Sequence, residues 1–409
     1  MKKITSVLCA VLMCASMLGG CGSSDSSSSD SKATTTKAAE DASANDGGNG
    51  GGSEDGGEET PADKPVLADN SVDYAANMKL GWNLGNTLDA IGGSGLDSEV
   101  AWGQPYTTKE LIQFVKDSGF DSIRIPVSWG QHTDDNYQID GEWMARVKEI
   151  VQWAYDSGLY IILNSHHDND FYYPTEEHYE KSEEYIKAIW AQIAEEFKDF
   201  DEQLIFESMN EPRLAGTNKE WWFNDSDPEG VESIQVISKL NQVFVDTVRA
   251  TGGNNATRFL MVPSNAAAVQ NALNSAFTLP NDTAENRIIL SVHAYTPYDF
   301  AMNFSGGTAE WTRSGKSQLS FMDNLNEKFI QNGVGVVIGE FGATNKGNDE
   351  ARVEWAKDYV GKAKDLGIAC VLWDNGGIKV GDENFGMIDR TMLTIYFPQL
   401  LQTMVDAYK

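Results

Sequence analysis

Glu211 and Glu340 each stand where a short apolar run stops. Leu204–Phe206 leads through Asn210 to Glu211 and Pro212, and Val334–Ile338 leads through Gly339 to Glu340. Runs of this length, rich in Val, Ile, Leu and Phe and bounded by turn residues, read as buried strands. A carboxylate is costly to place at the end of such a strand. Two of them, far apart in sequence, point to a pair brought together for acid/base and nucleophilic work.

Positioning such a pair requires a frame. Eight strand-like runs can be marked, near 78–84, 122–127, 159–164, 204–210, 258–263, 287–293, 334–340 and 368–373. Between most of them lie amphipathic helical patterns at 109–118, 142–157, 183–197, 234–250, 319–331 and 350–366, and a last helix is expected near 392–407. Glycine follows three of these helices, at Gly119, Gly158 and Gly367, which is the expected stop. Eight strands alternating with helices over this length predict a (β/α)8 TIM barrel. No Gly-x-Gly-x-x-Gly turn follows the first strand, so a dinucleotide-binding sheet loses its main signal.

In such a barrel the chemistry sits at the C-terminal ends of the strands. There the sequence places Arg124 on strand two, and His166, His167 and Asp168 after strand three. Asn210 and Glu211 close strand four, His293 and Tyr295 strand six, Glu340 strand seven and Trp373 strand eight. Three of the five histidines are at strand ends, which chance placement would not favour. Adjacent histidines on a strand point to opposite faces, so His166 and His167 make a poor chelate, and no metal is expected. Glu207 has the period-two phase of Glu211 but lies deeper, as a hydrogen-bonded residue of the barrel interior. Of 11 tryptophans, Trp82, Trp102, Trp129, Trp221, Trp222, Trp311 and Trp373 fall at strand ends or in the loops after strands. Sugar rings stack their C–H faces on flat aromatics, so this rim predicts a saccharide cleft.

The flanking sequence bears on location. Met1-Lys2-Lys3, an apolar stretch to Leu18 and then Gly19-Gly20-Cys21 read as a bacterial lipoprotein signal over 1–20, with Cys21 as the lipidated residue. Residues 21–65 are mostly Ser, Gly, Thr, Ala and acidic residues with almost no large apolar side chain, and read as a flexible, disordered acidic tether. Residues 66–409 form the catalytic barrel. Only Cys370 lies in that part, inside an apolar run, so it reads as a small core residue and no internal disulfide is possible. The chain of 409 residues carries a formal charge of −30. That argues against nucleic acid and anionic polymers as partners and is compatible with a neutral substrate.

The region from about Val66 onward resembles a glycoside hydrolase family 5 catalytic domain. Gly81-Trp-Asn-Leu-Gly-Asn-Thr-Leu88, Ala101-Trp-Gly103, Gly119-Phe-Asp-Ser-Ile-Arg-Ile-Pro126 and Asn210-Glu211-Pro212 are similar to subfamily 4, which contains endo-β-1,4-glucanases, xyloglucanases, licheninases and xylanases. The resemblance implies Glu211 as general acid/base and Glu340 as nucleophile. It implies that Arg124 and Tyr295 keep the nucleophile ionised and oriented, with Asn210 on the sugar 2-hydroxyl, His293 near the acid/base and His166 beside the sugar floor. Trp373 becomes the platform on the non-reducing side of the cut, with Asn86, Trp102, His167 and Trp222 as further substrate contacts. The implied activity is a retaining endo-β-1,4-glucanase without cofactor, acting as a monomer on β-glucan or a related plant polysaccharide, extracellular and held to the membrane only by a lipid on Cys21. Xyloglucan, mixed-linkage glucan and xylan are the alternative polymers. A non-catalytic saccharide-binding lipoprotein would be expected to lack a carboxylate or Arg124, and all three are present. Between the two glutamates, the one beside Arg124 is expected to be the more readily ionised, since a guanidinium favours the charged form.

Overall fold

The computed structural model describes residues 64–409. The export signal, Cys21 and nearly all of the expected tether lie outside the described residues. Eight parallel strands close into a barrel: β1 (Leu80–Asn83), β2 (Ser122–Ile125), β3 (Tyr160–Asn164), β4 (Leu204–Glu207), β5 (Leu260–Ala268), β6 (Ile288–His293), β7 (Gly335–Phe341) and β8 (Ala369–Leu372). β1 pairs with both β2 and β8, which closes the ring. Each strand overlaps one expected from the sequence, and β5 runs on past the expected end at 263 to Ala268.

Period-two alternation sorts the strand residues into two apolar layers. One set packs inside the barrel: Tyr160 and Ile162 of β3, Ile205 of β4, Met261 of β5, Ile289 of β6, Val337 of β7 and Val371 of β8. The alternate residues, such as Ile123, Ile161, Leu204, Phe206 and Leu290, pack outward against the helices. The same alternation carries Arg124 and Glu207 inward, one step above the apolar layer, where both are fully buried.

A helix the sequence reading did not mark, Ser71–Met78, plugs the bottom of the barrel with Tyr74, Ala75 and Met78. Asn70 caps it by accepting from the Asp73 N–H. Its eight residues are too few for a clear helical period to show. The expected helices at 109–118, 142–157, 183–197, 234–250 and 350–366 are present, and Gly119 and Gly367 take up positive φ just past their helices. The last helix starts at Pro398 rather than near Met392, because Thr394–Ile395 pairs antiparallel with Ile388–Asp389 in a small hairpin. Cys370 is buried on β8, and burial pushes its thiol up to about 12, so it is an inert core residue.

Two irregularities shape the upper rim. Between β6 and β7 the register slips after Val292↔Ile338, so that His293 lies opposite Glu340. In β5 the pairing jumps from Pro263 to Ala268, and Ala266 and Ala267 adopt φ of 53° and 47°. An alanine at positive φ is strained. Here the Ala266 N–H donates to the Pro212 carbonyl at 2.8 Å, tying the bulge to the residue after Glu211.

Candidate active site

Arg124 is the hub from which the site is built. Its Nε donates to Glu207 Oε2 at 2.7 Å, and its Nη1 to Asn83 Oδ1 at 2.9 Å and Glu340 Oε1 at 2.8 Å. Its Nη2 donates to Asn210 Oδ1 at 2.6 Å. Burial disfavours its charge, but Glu207 and Glu340 outweigh that and hold it charged, above the usual arginine range. Glu207 is held in turn by Asn164 Nδ2 at 3.0 Å and Ser291 Oγ at 2.6 Å. Its place in the barrel interior is the one expected from its phase.

Glu340 receives a second donor, the Tyr295 hydroxyl, on Oε2 at 2.9 Å. Glu211 Oε1 lies 2.7 Å from His293 Nδ1. The other ring nitrogen, Nε2, lies 3.5 Å from Arg124 Nη2. An ionised carboxylate can only accept, so Nδ1 carries the hydrogen that faces Glu211. Glu211, His293 and Glu340 each place one polar atom within 4.8 Å of the other two.

The electrostatics of the pair set burial against the charges around it. Burial pushes the Glu340 carboxyl up, and the nearby Glu211 charge adds to this against His293, Arg124 and Tyr295, so that it lies above the usual carboxylate range. Burial pushes Glu211 up as well, but the His293 hydrogen bond and charge, with Arg213 and His167, outweigh it and hold that carboxyl below its ordinary value. Arg124 favours the charged form of Glu340, against the burial that opposes it. Burial pushes His293 down, and the two carboxylates more than offset this, leaving it above 6.5. A proton thus resides on the His293–Glu211 pair, which titrates as a unit.

His166 and His167 both lie beyond the end of β3, and their rings meet edge to face with centroids 4.5 Å apart. The expectation that they point to opposite faces fails because the strand ends at Asn164. Asp89, His166 and His167 have ligand-type atoms within 4.8 Å of one another. Asn164 Nδ2 faces His166 Nδ1 at 3.2 Å, so that nitrogen is an acceptor and Nε2–H points toward Glu340 Oε1, 4.0 Å away. No lone pair of His166 is left for a cation. Burial holds His167 down at about 4 and raises Asp89 to about 6, whose oxygens accept from the Thr87 and Asn86 N–H groups at 2.7 and 3.0 Å.

Trp373 lies parallel to the His166 ring with centroids 5.7 Å apart, and Trp102 lies tilted over His167 at 5.4 Å. Asn86 enters through its backbone, at φ 56°, in the turn that holds Asp89. The tryptophan rim is smaller than the sequence count implied. Trp82 and Trp129 are fully buried, with their N–H groups spent on Asp374 Oδ2 and the Asn164 carbonyl. Trp102, Trp221 and Trp222 are 41, 55 and 65 % exposed. Trp222 belongs to none of the contacts that fix the carboxylates.

Four residues were not read from the sequence. Asn83 and Ser291 lie within strands, where short polar residues look like packing. Asp374, next to Trp373 in the chain, is fully buried and gathers the Trp82, Gly376, Met387 and Ile388 N–H groups. Arg213, two residues after Glu211, lies in the loop beyond β4, where strand alternation gives no signal.

A closed (β/α)8 barrel with two carboxyls at the ends of β4 and β7, one under an arginine and one on a histidine, defines a glycosidase-type site. Residues 85–378 match the family Cellulase (glycosyl hydrolase family 5). The chain belongs to glycosyl hydrolase family 5. Endoglucanase A of Ruminococcus albus is 44 % identical over 347 residues, covering 83 % of this chain and 93 % of that one. The structure of a family 5 lichenase from Caldicellulosiruptor sp. F32 is 44 % identical, with a TM-score of 0.81 over 86 % of this chain and 99 % of that chain. That of a subfamily 4 broad-specificity endoglucanase from Ruminococcus champanellensis with bound cellotriose is 44 % identical, with a TM-score of 0.78 over 83 % and 99 %.

Proposed function

We propose that this enzyme is an endo-β-1,4-glucanase that cleaves internal glucosidic bonds by double displacement with retention of configuration. The observation that carries the reading is the spacing of the pair: oxygens of Glu211 and Glu340 lie within 4.8 Å of each other. Retaining enzymes hold their carboxyls about 5–5.5 Å apart, whereas inverting ones leave about 6.5–9.5 Å for a water.

Glu340, oriented by Arg124 and Tyr295, attacks the anomeric carbon as the bond to the leaving oxygen breaks. The proton of the His293–Glu211 pair passes through Glu211 to that oxygen. Glu211 then takes a proton from water, which attacks the anomeric carbon and releases Glu340. Arg124 holds Asn210 by its oxygen, so its Nδ2 is the donor for the sugar 2-hydroxyl. His166 and Trp373 form the floor beneath that sugar. The exposed faces of Trp102, Trp221 and Trp222 extend the cleft along the polymer, as an endo-acting enzyme requires.

The substrate is a neutral β-glucan, and mixed-linkage glucan is included because the lichenase is so similar. Reducing-sugar release from cello-oligosaccharides, lichenan, xyloglucan, xylan and mannan, measured side by side, tests this. We expect cleavage of the first two at comparable rates. Activity confined to xylan or mannan overturns the assignment.

We further infer that the enzyme is carried at the outer face of the membrane by a lipid on Cys21. The support is the basic start, the apolar stretch and the small residues before that cysteine. Detergent partitioning of the expressed full chain should place the wild type in the detergent phase and Cys21→Ser in the aqueous phase. Wild-type protein found wholly in the aqueous phase rules the anchor out.

A further inference from the structure

Arg213 lies two residues beyond Glu211, in the loop that leaves β4. Its Nη1 donates to the Glu211 carbonyl at 3.0 Å and lies 3.9 Å from Glu211 Oε2. Its Nε donates to Glu220 Oε1 at 3.0 Å, and Glu220 Oε2 accepts from the Gly216 N–H at 3.0 Å. The guanidinium carbon lies 4.2 Å from the centroid of the Trp221 ring. The Asn169 amide, turned to suit its neighbours, accepts from Nη1 at 3.1 Å and donates to the Glu211 carbonyl at 3.2 Å. One side chain therefore touches the carboxyl and backbone of Glu211, the loop after β3, and a tryptophan that remains 55 % exposed.

We propose that Arg213 is a positioning residue that orients Glu211 and seats Trp221 as the stacking face for the sugar on the leaving-group side. The proposal rests on the reading of Glu211 as acid/base. An acid must sit on the side of the oxygen it protonates. The loop that runs on from Glu211, on which Trp221 stands, is thus the one beside the departing sugar. A planar guanidinium against an indole face holds the ring flat, and lysine cannot reproduce that contact together with the separate Nε bond to Glu220 and Nη1 bond to the Glu211 carbonyl. The two oxygens of Glu211 then divide their neighbours, Oε1 facing His293 and Oε2 facing Arg213. A ring lifted off the arginine alters both the seat of the leaving sugar and the field at the acid.

The charge has a consequence in pH. The groups facing Glu211 are His293 and Tyr295 from the end of β6, Glu340 from β7, His167 from the loop after β3, Glu383 from the loop after β8, and Arg213 itself. Of these, His293, His167 and Arg213 favour the ionised carboxyl. Removing the arginine charge makes the His293–Glu211 pair hold its proton more tightly. The step that needs that proton then persists to higher pH, so the alkaline limb of kcat/KM moves up.

The test compares wild type, Arg213→Met, Arg213→Lys, Trp221→Ala and Glu211→Gln. Each is assayed on cellopentaose and on 2,4-dinitrophenyl β-cellobioside, with kcat/KM followed against pH. The aryl substrate needs no acid for its first step and has no sugar on the leaving side, so it also reports that the fold is intact. Arg213→Met is expected to lose roughly tenfold in kcat/KM on cellopentaose and far less on the aryl glycoside, with the alkaline limb shifted upward. Arg213→Lys should restore the limb but not the full cellopentaose rate. Trp221→Ala should lose cellopentaose rate with the limb in place. An unmoved limb in Arg213→Met, or an equal loss on both substrates, overturns the proposal. Failure of the underlying reading looks different: Glu211→Gln would then lose as much kcat/KM on the aryl glycoside as on cellopentaose.

Discussion

Glu340→Ala is expected to lower turnover on every β-glucan by about 10⁵-fold or more, the scale seen when a nucleophile is removed from a concerted site. The fold should survive, and the reason lies in how the surrounding charges are shared. Arg124 keeps its 2.7 Å ion pair with the fully buried Glu207, so no cation is stranded when the nucleophile goes. The substitution also removes a buried carboxyl that burial and the neighbouring Glu211 already disfavour in its charged form. The unfolding midpoint should therefore stay level or rise, as happens where a functional group carries strain. The decisive readout is chemical. With azide and an activated β-cellobioside, a small anion filling the space left by Glu340 attacks once from that face and gives the α-glycosyl azide. A β-glycosyl azide would mean that the residue removed was the acid/base, and would reverse the roles assigned to the two carboxyls.

Much of this site was open to sequence reasoning because it follows from alternation along strands. A strand with Ile123 and Ile125 facing outward must turn Arg124 inward, and β4 with Leu204 and Phe206 outward must turn Glu207 inward. The stacking of such residues into one layer above the apolar interior needs only the barrel. What alternation cannot supply is register. His293 stands opposite Glu340 because the β6–β7 pairing slips by one residue past Val292, and no local pattern signals that slip. Loop conformation was equally out of reach. His166 and His167 were read as if still on a strand, but they lie past its end and turn their rings to the same place. Trp82 and Trp129 sit near strand ends just as Trp373 does, and only packing separates a buried indole from one in the cleft. The way Arg124 divides itself among Glu207, Asn83, Glu340 and Asn210 was out of reach as well, because a sequence shows one arginine without its partners.

Arg124→Met should be costly to both stability and activity, and a second substitution can separate the two. The guanidinium is the only cation in contact with Glu207 among the described residues, and the remaining donors to that carboxyl are the neutral Asn164 and Ser291. Removing one partner of a buried pair leaves an uncompensated charge, at a cost of about 3–5 kcal/mol. The unfolding midpoint should fall by several degrees. At the same time Glu340 loses its Nη1 donor and Asn210 loses the Nη2 hydrogen bond that fixes its amide, so kcat/KM should fall by about 10³-fold or more, the scale of a lost charge-stabilising donor. In Arg124→Met/Glu207→Gln the buried charge is gone, and the neutral amide can still meet Asn164 and Ser291. Most of the lost stability should return while activity stays low, because nothing restores the contacts to Glu340 and Asn210. Thermal unfolding and cello-oligosaccharide kinetics on the two variants give the answer. A double variant as unstable as the single one would show that Arg124 holds the barrel by packing, whereas one that recovered activity would remove the arginine from the orientation of the nucleophile.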